Sequence, residues 1–192
     1  MKGMGTWRKL AVAVAVCMAV LCLPGYSEPT PEQIEALTFL LMKDTEDGNL
    51  ERVKARIEAG ADINANAGEG TALMCAAFGG HQNILELLIR LGADVNAKTE
   101  YGETALMYGA KNGKRDTVEL LIKSGANINA KDDDGETALI YAIKSSSDID
   151  TIDLLIKSGA DVNAQDKDGR SASYWAKSKY VKMLLRAAGA TK

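Results

Sequence analysis

The sequence predicts an all-α repeat solenoid: short helix-turn-helix units stacked in a row and joined by β-hairpin-like loops. Two observations carry this. The peptides GETALMYGAK (102–111) and GETALIYAIK (135–144) are nearly one text, and Thr71, Thr104 and Thr137 recur 33 residues apart, with Ser171 following 34 later. Gly60, Gly92, Gly125 and Gly159 step by 32, 33 and 34 residues inside GADINA, GADVNA, GANINA and GADVNA. A fixed period of this size marks a supersecondary unit written several times over, and it governs how every motif inside it is read.

Residues 1–27 stand apart from that period. They hold Lys2, Arg8 and Lys9, no acidic residue, and the 14-residue apolar run LAVAVAVCMAVLCL, which stops at Pro24-Gly25. A charged start, a short apolar run and small residues at Gly25 and Ser27 have the layout of a secretory signal peptide cleaved near Ser27–Glu28. The run falls short of the ~20 residues of a spanning helix, so an uncleaved inner-membrane anchor is the weaker alternative. A lipoprotein signal ending at Cys22 is another, opposed by Leu21 where a small residue is wanted. The expectation is export to a bacterial periplasm, with an extracellular destination as a further alternative. Without the leader Lys+Arg falls from 23 to 20 against 26 Asp+Glu, a net charge of −6. That balance lacks the basic footprint of a nucleic-acid binder. It also leaves Cys75 as the sole cysteine, so no intramolecular disulfide supports the mature fold. No membrane contact is expected after cleavage.

The units then parse in order. TPEQ (30–33) offers a cap, a proline at the first helical position and a glutamine two later, a capping box that opens a helix. NLERVKARIEAG follows, with Arg56 where later units carry Leu88, Leu121 and Leu155, a charge expected only on a face without a neighbour. In the middle units Thr104 caps a short helix, ALMYGAKN, and a second helix runs from about Lys114 to Ser124 and ends at Gly125. Val118, Leu121 and Ile122 form its apolar stripe, repeated as Leu85, Leu88, Ile89 and as Ile152, Leu155, Ile156. ANINAKDDDGE lacks helical periodicity and reverses the chain. The last unit is shortened to RSASYWAKSKYVKMLLRAAGA.

GETALMYGAKNGKRDTVELLIKSGANINAKDDD resembles a full ankyrin repeat, and the resemblance covers roughly residues 31–190. It implies a signal peptide (1–27) followed by an ankyrin-repeat domain (28–192). That domain divides into an N-terminal cap (about 31–68), full repeats 69–101, 102–134 and 135–168, and a C-terminal cap (169–190). The family's TPLH appears here as TALM, TALM and TALI, which removes the histidine that ties neighbouring hairpins; methionine packing is expected in its place. The loop between Gly60 and Thr71 is one residue short, and SSSDID (145–150) carries one extra. The resemblance also implies a non-enzymatic protein-binding module whose partner lies along the concave face. Its contact positions fall on Phe78 and Gly79, then Glu100, Tyr101, Glu103, Lys111 and Asn112. They continue through Asp133, Asp134, Glu136, Lys144 and Ser145, with Lys167, Asp168 and Arg170 entering the cap. Phe78 and Tyr101 are the expected aromatic anchors, although Phe78 equally suits cover for a neighbouring helix. Tyr108, Tyr141 and Trp175 are expected in the core.

Little else points to chemistry. His81, the sole histidine, opens a second helix and is read as a helix-start polar residue rather than a catalytic base. Cys75 lies within the apolar ALMCAAF and is read as a small buried hydrophobe. DDDG (132–135) and DKDG (166–169) fail the EF-hand spacing and are read as solvated turns. No metal or cofactor is expected. Acidic tips favour a protein partner with a basic patch. The alternative function is a secreted effector, or an inhibitor occluding an enzyme outside the producing cell.

Overall fold

The computed structural model describes residues 29–66, 70–145 and 148–191. The expected leader and cleavage site, with Cys17 and Cys22, lie outside them. So do parts of both irregular loops, 67–69 and 146–147. Five helix pairs follow one another: α1 (Pro31–Glu46) with α2 (Leu50–Glu58), α3 (Ala72–Gly79) with α4 (Gln82–Arg90), α5 (Ala105–Lys111) with α6 (Arg115–Lys123), α7 (Ala138–Ser145) with α8 (Ile149–Lys157), and α9 (Ala172–Trp175) with α10 (Lys179–Ala187). First helices pack on first helices and second on second along the row. No strand forms among the described residues; the hairpin-like loops are turns, with one isolated antiparallel bridge between Gln165 and Ser171.

The helix ends follow the sequence. At Thr30 the predicted capping box is complete, with Thr30 N–H donating to Gln33 Oε1 (2.8 Å) and Gln33 N–H to Thr30 Oγ1 (3.4 Å). In the TALM units methionine fills the third helical position, and its sulfur accepts the backbone N–H of Thr71 or Thr104 at 3.4 Å. Both methionines are buried. The sulfur therefore does polar work at the cap that the expectation of packing alone did not include.

The core is a set of rows running down the stack. Leu41, Leu73, Leu106 and Leu139 form one in the first helices. Val53, Leu85, Val118 and Ile152 form a second, and Leu88, Leu121, Leu155 and Leu185 a third, all essentially inaccessible to solvent. A further row is small because the paired helices meet there: Ala76, Gly109, Ala142, Ala176. A Cβ on Gly109 would come within 3.1 Å of the Thr117 methyl and 3.9 Å of Leu121.

The first unit departs from these rows at two facing positions. Asp44 takes the small-residue place and is buried, and Arg56 takes the leucine place. Arg56 Nε donates to Asp44 Oδ2 at 2.9 Å, while Arg52 approaches Oδ1 at 3.7 Å. This corrects the expectation that Arg56 marks a face without a neighbour. It turns inward to neutralise a buried carboxylate, and the pair substitutes for alanine and leucine in the later units.

Neighbouring units are also tied through the asparagine of each GADVNA-type peptide. The Oδ1 atoms of Asn64, Asn96, Asn129 and Asn163 accept the N–H of Asp94, Asn127, Asp161 and Thr191, each at 2.8 Å. Their Nδ2 groups donate to the carbonyls of Gly92, Gly125, Gly159 and Gly189 at 3.1–3.2 Å. Lys98 and Lys131 add bonds to the carbonyls of Lys131 and Gln165, both at 2.8 Å. These contacts supply the ties that the missing histidines leave open.

The Asp44–Arg56 exchange makes a double-mutant prediction. Arg56→Leu alone leaves the buried Asp44 carboxylate with only the more distant Arg52 and is expected to cost about 3 kcal/mol, the low end for breaking a buried pair. Asp44→Ala/Arg56→Leu restores the pattern of the later units and is expected within about 1 kcal/mol of the parent, or above it. Urea unfolding followed by circular dichroism checks both.

Candidate functional site

The period brings one side chain of each inner first helix to the same register: Cys75, Tyr108, Tyr141 and Trp175, all half-buried. The residue three positions further on in the preceding unit reaches over each ring. Phe78 meets Tyr108 edge-on, with ring centroids 6.2 Å apart and planes at 76°. Lys111 Nζ lies 5.8 Å from the Tyr141 ring centroid, and Lys144 Nζ 4.6 Å from that of Trp175. An ammonium over a negative ring face, or one ring's positive edge against another's face, is attractive in each case.

Carboxylates lace the ladder together. Glu103 accepts the Tyr108 hydroxyl at 2.7 Å and faces that of Tyr141 at 3.1 Å, while Asp132 Oδ2 lies 2.8 Å from the latter. Burial, together with Asp132 and Glu103, pushes the Tyr141 phenol well above its ordinary range, so it stays a donor. Glu136 is buried and pairs with Lys144 at 2.5 Å. Arg170 stacks over Trp175 at 4.6 Å and near Tyr174 at 5.8 Å, and is paired with Asp166 and Asp168.

Above this ladder stand the turn tips, each wound around one polar side chain. Thr99 Oγ1 accepts the N–H of Tyr101 and Glu103. Asp132 Oδ1 does the same for Asp134 and Glu136, and Asp166 Oδ1 for Asp168 and Arg170. Adjacent tips are stitched by backbone: Asp133 N–H donates to the Tyr101 carbonyl at 2.9 Å and Lys167 N–H to that of Asp134 at 2.8 Å. At Gly102, with φ of 79°, a Cβ would stand 3.0 Å from Asp132 Cα, so the close approach needs glycine. Asp132 and Asp166 thus spend Oδ1 inside the turn and Oδ2 on Tyr141 and Arg170 respectively. No three histidine, cysteine, aspartate or glutamate side chains are grouped to hold a metal among the described residues.

The positions carried over from the resemblance therefore divide. Glu100, Tyr101, Asn112, Asp133 and Asp134 are exposed, as is Phe78, which also covers Tyr108 and accepts a bond from Asn112 Nδ2 on its carbonyl. Tyr101 is 64% exposed and Phe78 51%. Glu103, Lys111 and Arg170 are half-buried and occupied with neighbours, while Lys144, more open, is held between Glu136 and Trp175. Glu136, expected as a contact, is buried because Lys144 draws it beneath the turn. Tyr108, Tyr141 and Trp175, expected in the core, are half-buried: they pack against it and also line the face. Cys75 is half-buried rather than buried. His81 does not cap α4 with its side chain; its Nε2 lies 3.0 Å from the Glu46 carbonyl and fastens the first two units. Tyr174, 67% exposed, escaped the sequence argument: it stands at the register of the buried Met74, Met107 and Ile140, and no further unit among the described residues covers it.

A profile of ankyrin repeats in three copies matches residues 41–132 and 129–192. The chain belongs to the ankyrin-repeat family. Ankyrin repeats are generally protein–protein interaction modules, and the family is typically non-enzymatic. Similarity extends to the ankyrin repeat and KH domain-containing protein mask-1 of Caenorhabditis elegans, 42% identical over 65 residues, which are 34% of this chain and 2% of that protein. The human Notch-regulated ankyrin repeat-containing protein is 57% identical over 44 residues, 22% of this chain and 39% of that one; the Danio rerio protein A of the same name gives the same figures. The chain thus spans well under two thirds of these relatives' length.

Asp166 makes the face pH-sensitive. Burial disfavours its charge, yet the N–H groups of Arg170 and Asp168 and the Arg170 guanidinium outweigh burial and hold the carboxyl below the ordinary value of 3.8. The unfolded chain therefore takes up the proton first on acidification. Asp166→Asn is expected to cost about 1–2 kcal/mol at neutral pH. That difference should hold above about pH 4 and shrink below it. Paired urea titrations at neutral and acid pH test the sign.

Proposed function

We propose that this ankyrin stack is an exported, non-catalytic binding module that captures a protein partner along the face made by its first helices and turn tips. The observation that carries the proposal is the division of labour on that face. Several of its side chains are locked to one another across units, while Phe78 and Tyr101 remain exposed. A surface held in place before binding loses little freedom on contact, and exposed aromatics are the usual anchors of interfaces. Glu100, Asp133 and Asp134 at the tips favour a partner with a basic patch and speed its approach.

Export rests on the leader at residues 1–27, whose layout points to a periplasmic destination. A role outside the cell, as effector or enzyme inhibitor, has the same leader. Fractionation separates the two, since a periplasmic protein stays with the envelope and a released one is found in the medium.

Affinity capture from envelope extract with the mature chain, beside Phe78→Ala/Tyr101→Ala, tests the face. At equal helicity by circular dichroism, the variant is expected to lose at least about tenfold of the captured protein. Equal capture by both would reject this face as the binding site.

A further inference from the structure

The last helix departs from the three inner second helices. At one register, exposed at Glu86 and half-buried at Glu119 and Asp153, the inner units carry these acids and the last carries Met183. At another they carry Asn83, Asp116 and Asp150, and the last carries Tyr180. In α6 and α8 the acids neutralise cations of their own helix: Glu119 pairs with Arg115 and Lys123, and Asp153 with Lys157. In α10 the acids are gone and the cations remain. Residues 169–192 contain Arg170, Lys177, Lys179, Lys182, Arg186 and Lys192 and no aspartate or glutamate. Lys177, Lys179, Lys182 and Arg186 are exposed, and none is ion-paired among the described residues. Between them Tyr180 and Met183 are 52% and 57% exposed.

The end of a solenoid needs polar residues where a next unit would stack, and Lys182 and Arg186 meet that need at the registers of Val118 and Ile122. Solubility does not call for Tyr180 and Met183, nor for the removal of both acids. Cations around an amphipathic ring and a flexible thioether suit the junction of anionic headgroups and acyl chains. The hollows that stand out on the described surface lie elsewhere. One of about 360 Å³ lies between α2 and α4, lined by Leu50, Lys54, Glu86 and Arg90 among others, and another is beside Asn66 and Glu100. What this end offers is projecting side chains on a short helix at the tip of the row. The acidic tips Glu100, Asp133 and Asp134 belong to the inner units, so a flat anionic surface can meet the basic end without facing them all.

We infer that the C-terminal cap is a peripheral docking surface for an anionic lipid bilayer, with Lys177, Lys179, Lys182 and Arg186 on the headgroups and Tyr180 and Met183 entering the interface. This differs from the expectation that the mature chain has no membrane contact. It concerns lying on a bilayer, since no described helix is long and apolar enough to cross one.

The test uses the full chain with vesicles of phosphatidylcholine, with or without phosphatidylglycerol. The apolar stretch at 10–23 can itself enter a bilayer, so the readout is local: lysine acetylation resolved by mass spectrometry. Phosphatidylglycerol vesicles are expected to slow modification of Lys177 and Lys179 several-fold while leaving Lys98 and Lys131 unchanged, and phosphatidylcholine alone to do neither. The protection should vanish in Tyr180→Ser/Met183→Ser and in Lys182→Glu/Arg186→Glu, both surface changes checked for unchanged helicity. Unprotected cap lysines, or equal protection in either variant, would overturn the inference. So would protection that grows with protein concentration in the absence of lipid, which would assign the surface to a second copy of the chain instead.

Discussion

Leu88, Leu121, Leu155 and Leu185 find cover only because another unit stands beside each of them, and the rest of the molecule follows from that dependence. A single helix pair has too little area to shield its own stripe, so the fold exists as a row of interfaces between neighbours. Truncating one such leucine to alanine in a well-packed core costs about 2–5 kcal/mol, a large part of the stability of a domain this size. The period follows from the same requirement, because side chains in adjacent units must meet at the same height. The ends are where the requirement lapses. The N-terminal unit replaces a small residue and a leucine with Asp44 and Arg56. The C-terminal unit turns its last row to Lys182 and Arg186.

Polar groups then refine a stack that apolar burial builds. The asparagine ladder joins each unit to the next by an acceptor and a donor from one side chain, which sets the height and rotation of the neighbour as well as its proximity. At the tips the backbone bonds from Asp133 to Tyr101 and from Lys167 to Asp134 do the same at the far edge. Both ends of the second-helix-to-turn segment are thus held. The first helices between them carry the ring-and-cation ladder in a fixed geometry, and the rigidity of this face is a by-product of stacking.

Much of this was legible in the residues. Thr104 as a cap, the turn-forming ANINAKDDDGE and the leucine stripe all act locally or through the period, and local signals survive transfer into the fold. The face proposed for binding was less so. Glu136 and Lys144 look like two surface charges in sequence, and only the turn above them shows that they meet and bury one partner. Tyr141 shares a register with Tyr108 and Trp175, which reads as core, and in the fold that register is half-buried, packed on the core below and reached by Lys111 and Lys144 from the open side. Arg56 looked like an end-face charge because the residue it answers, Asp44, lies on another helix 12 positions away.

The sequence by itself determined the family, the all-α stacked architecture, the helix ends and the rows of core residues. Those depend on periodicity and on capping chemistry within a few residues. It also set residues 1–27 apart from the repeats by composition alone. The tertiary structure decided which charges are solvated and which are spent on a neighbour, because that depends on distances between units that no local pattern encodes. It decided, too, that Met74 and Met107 serve the cap through sulfur, that His81 binds the unit before it, and that Tyr174, Tyr180 and Met183 stay outside. Exposure is a property of what fails to pack against a residue, and that is known only once every neighbour is in place.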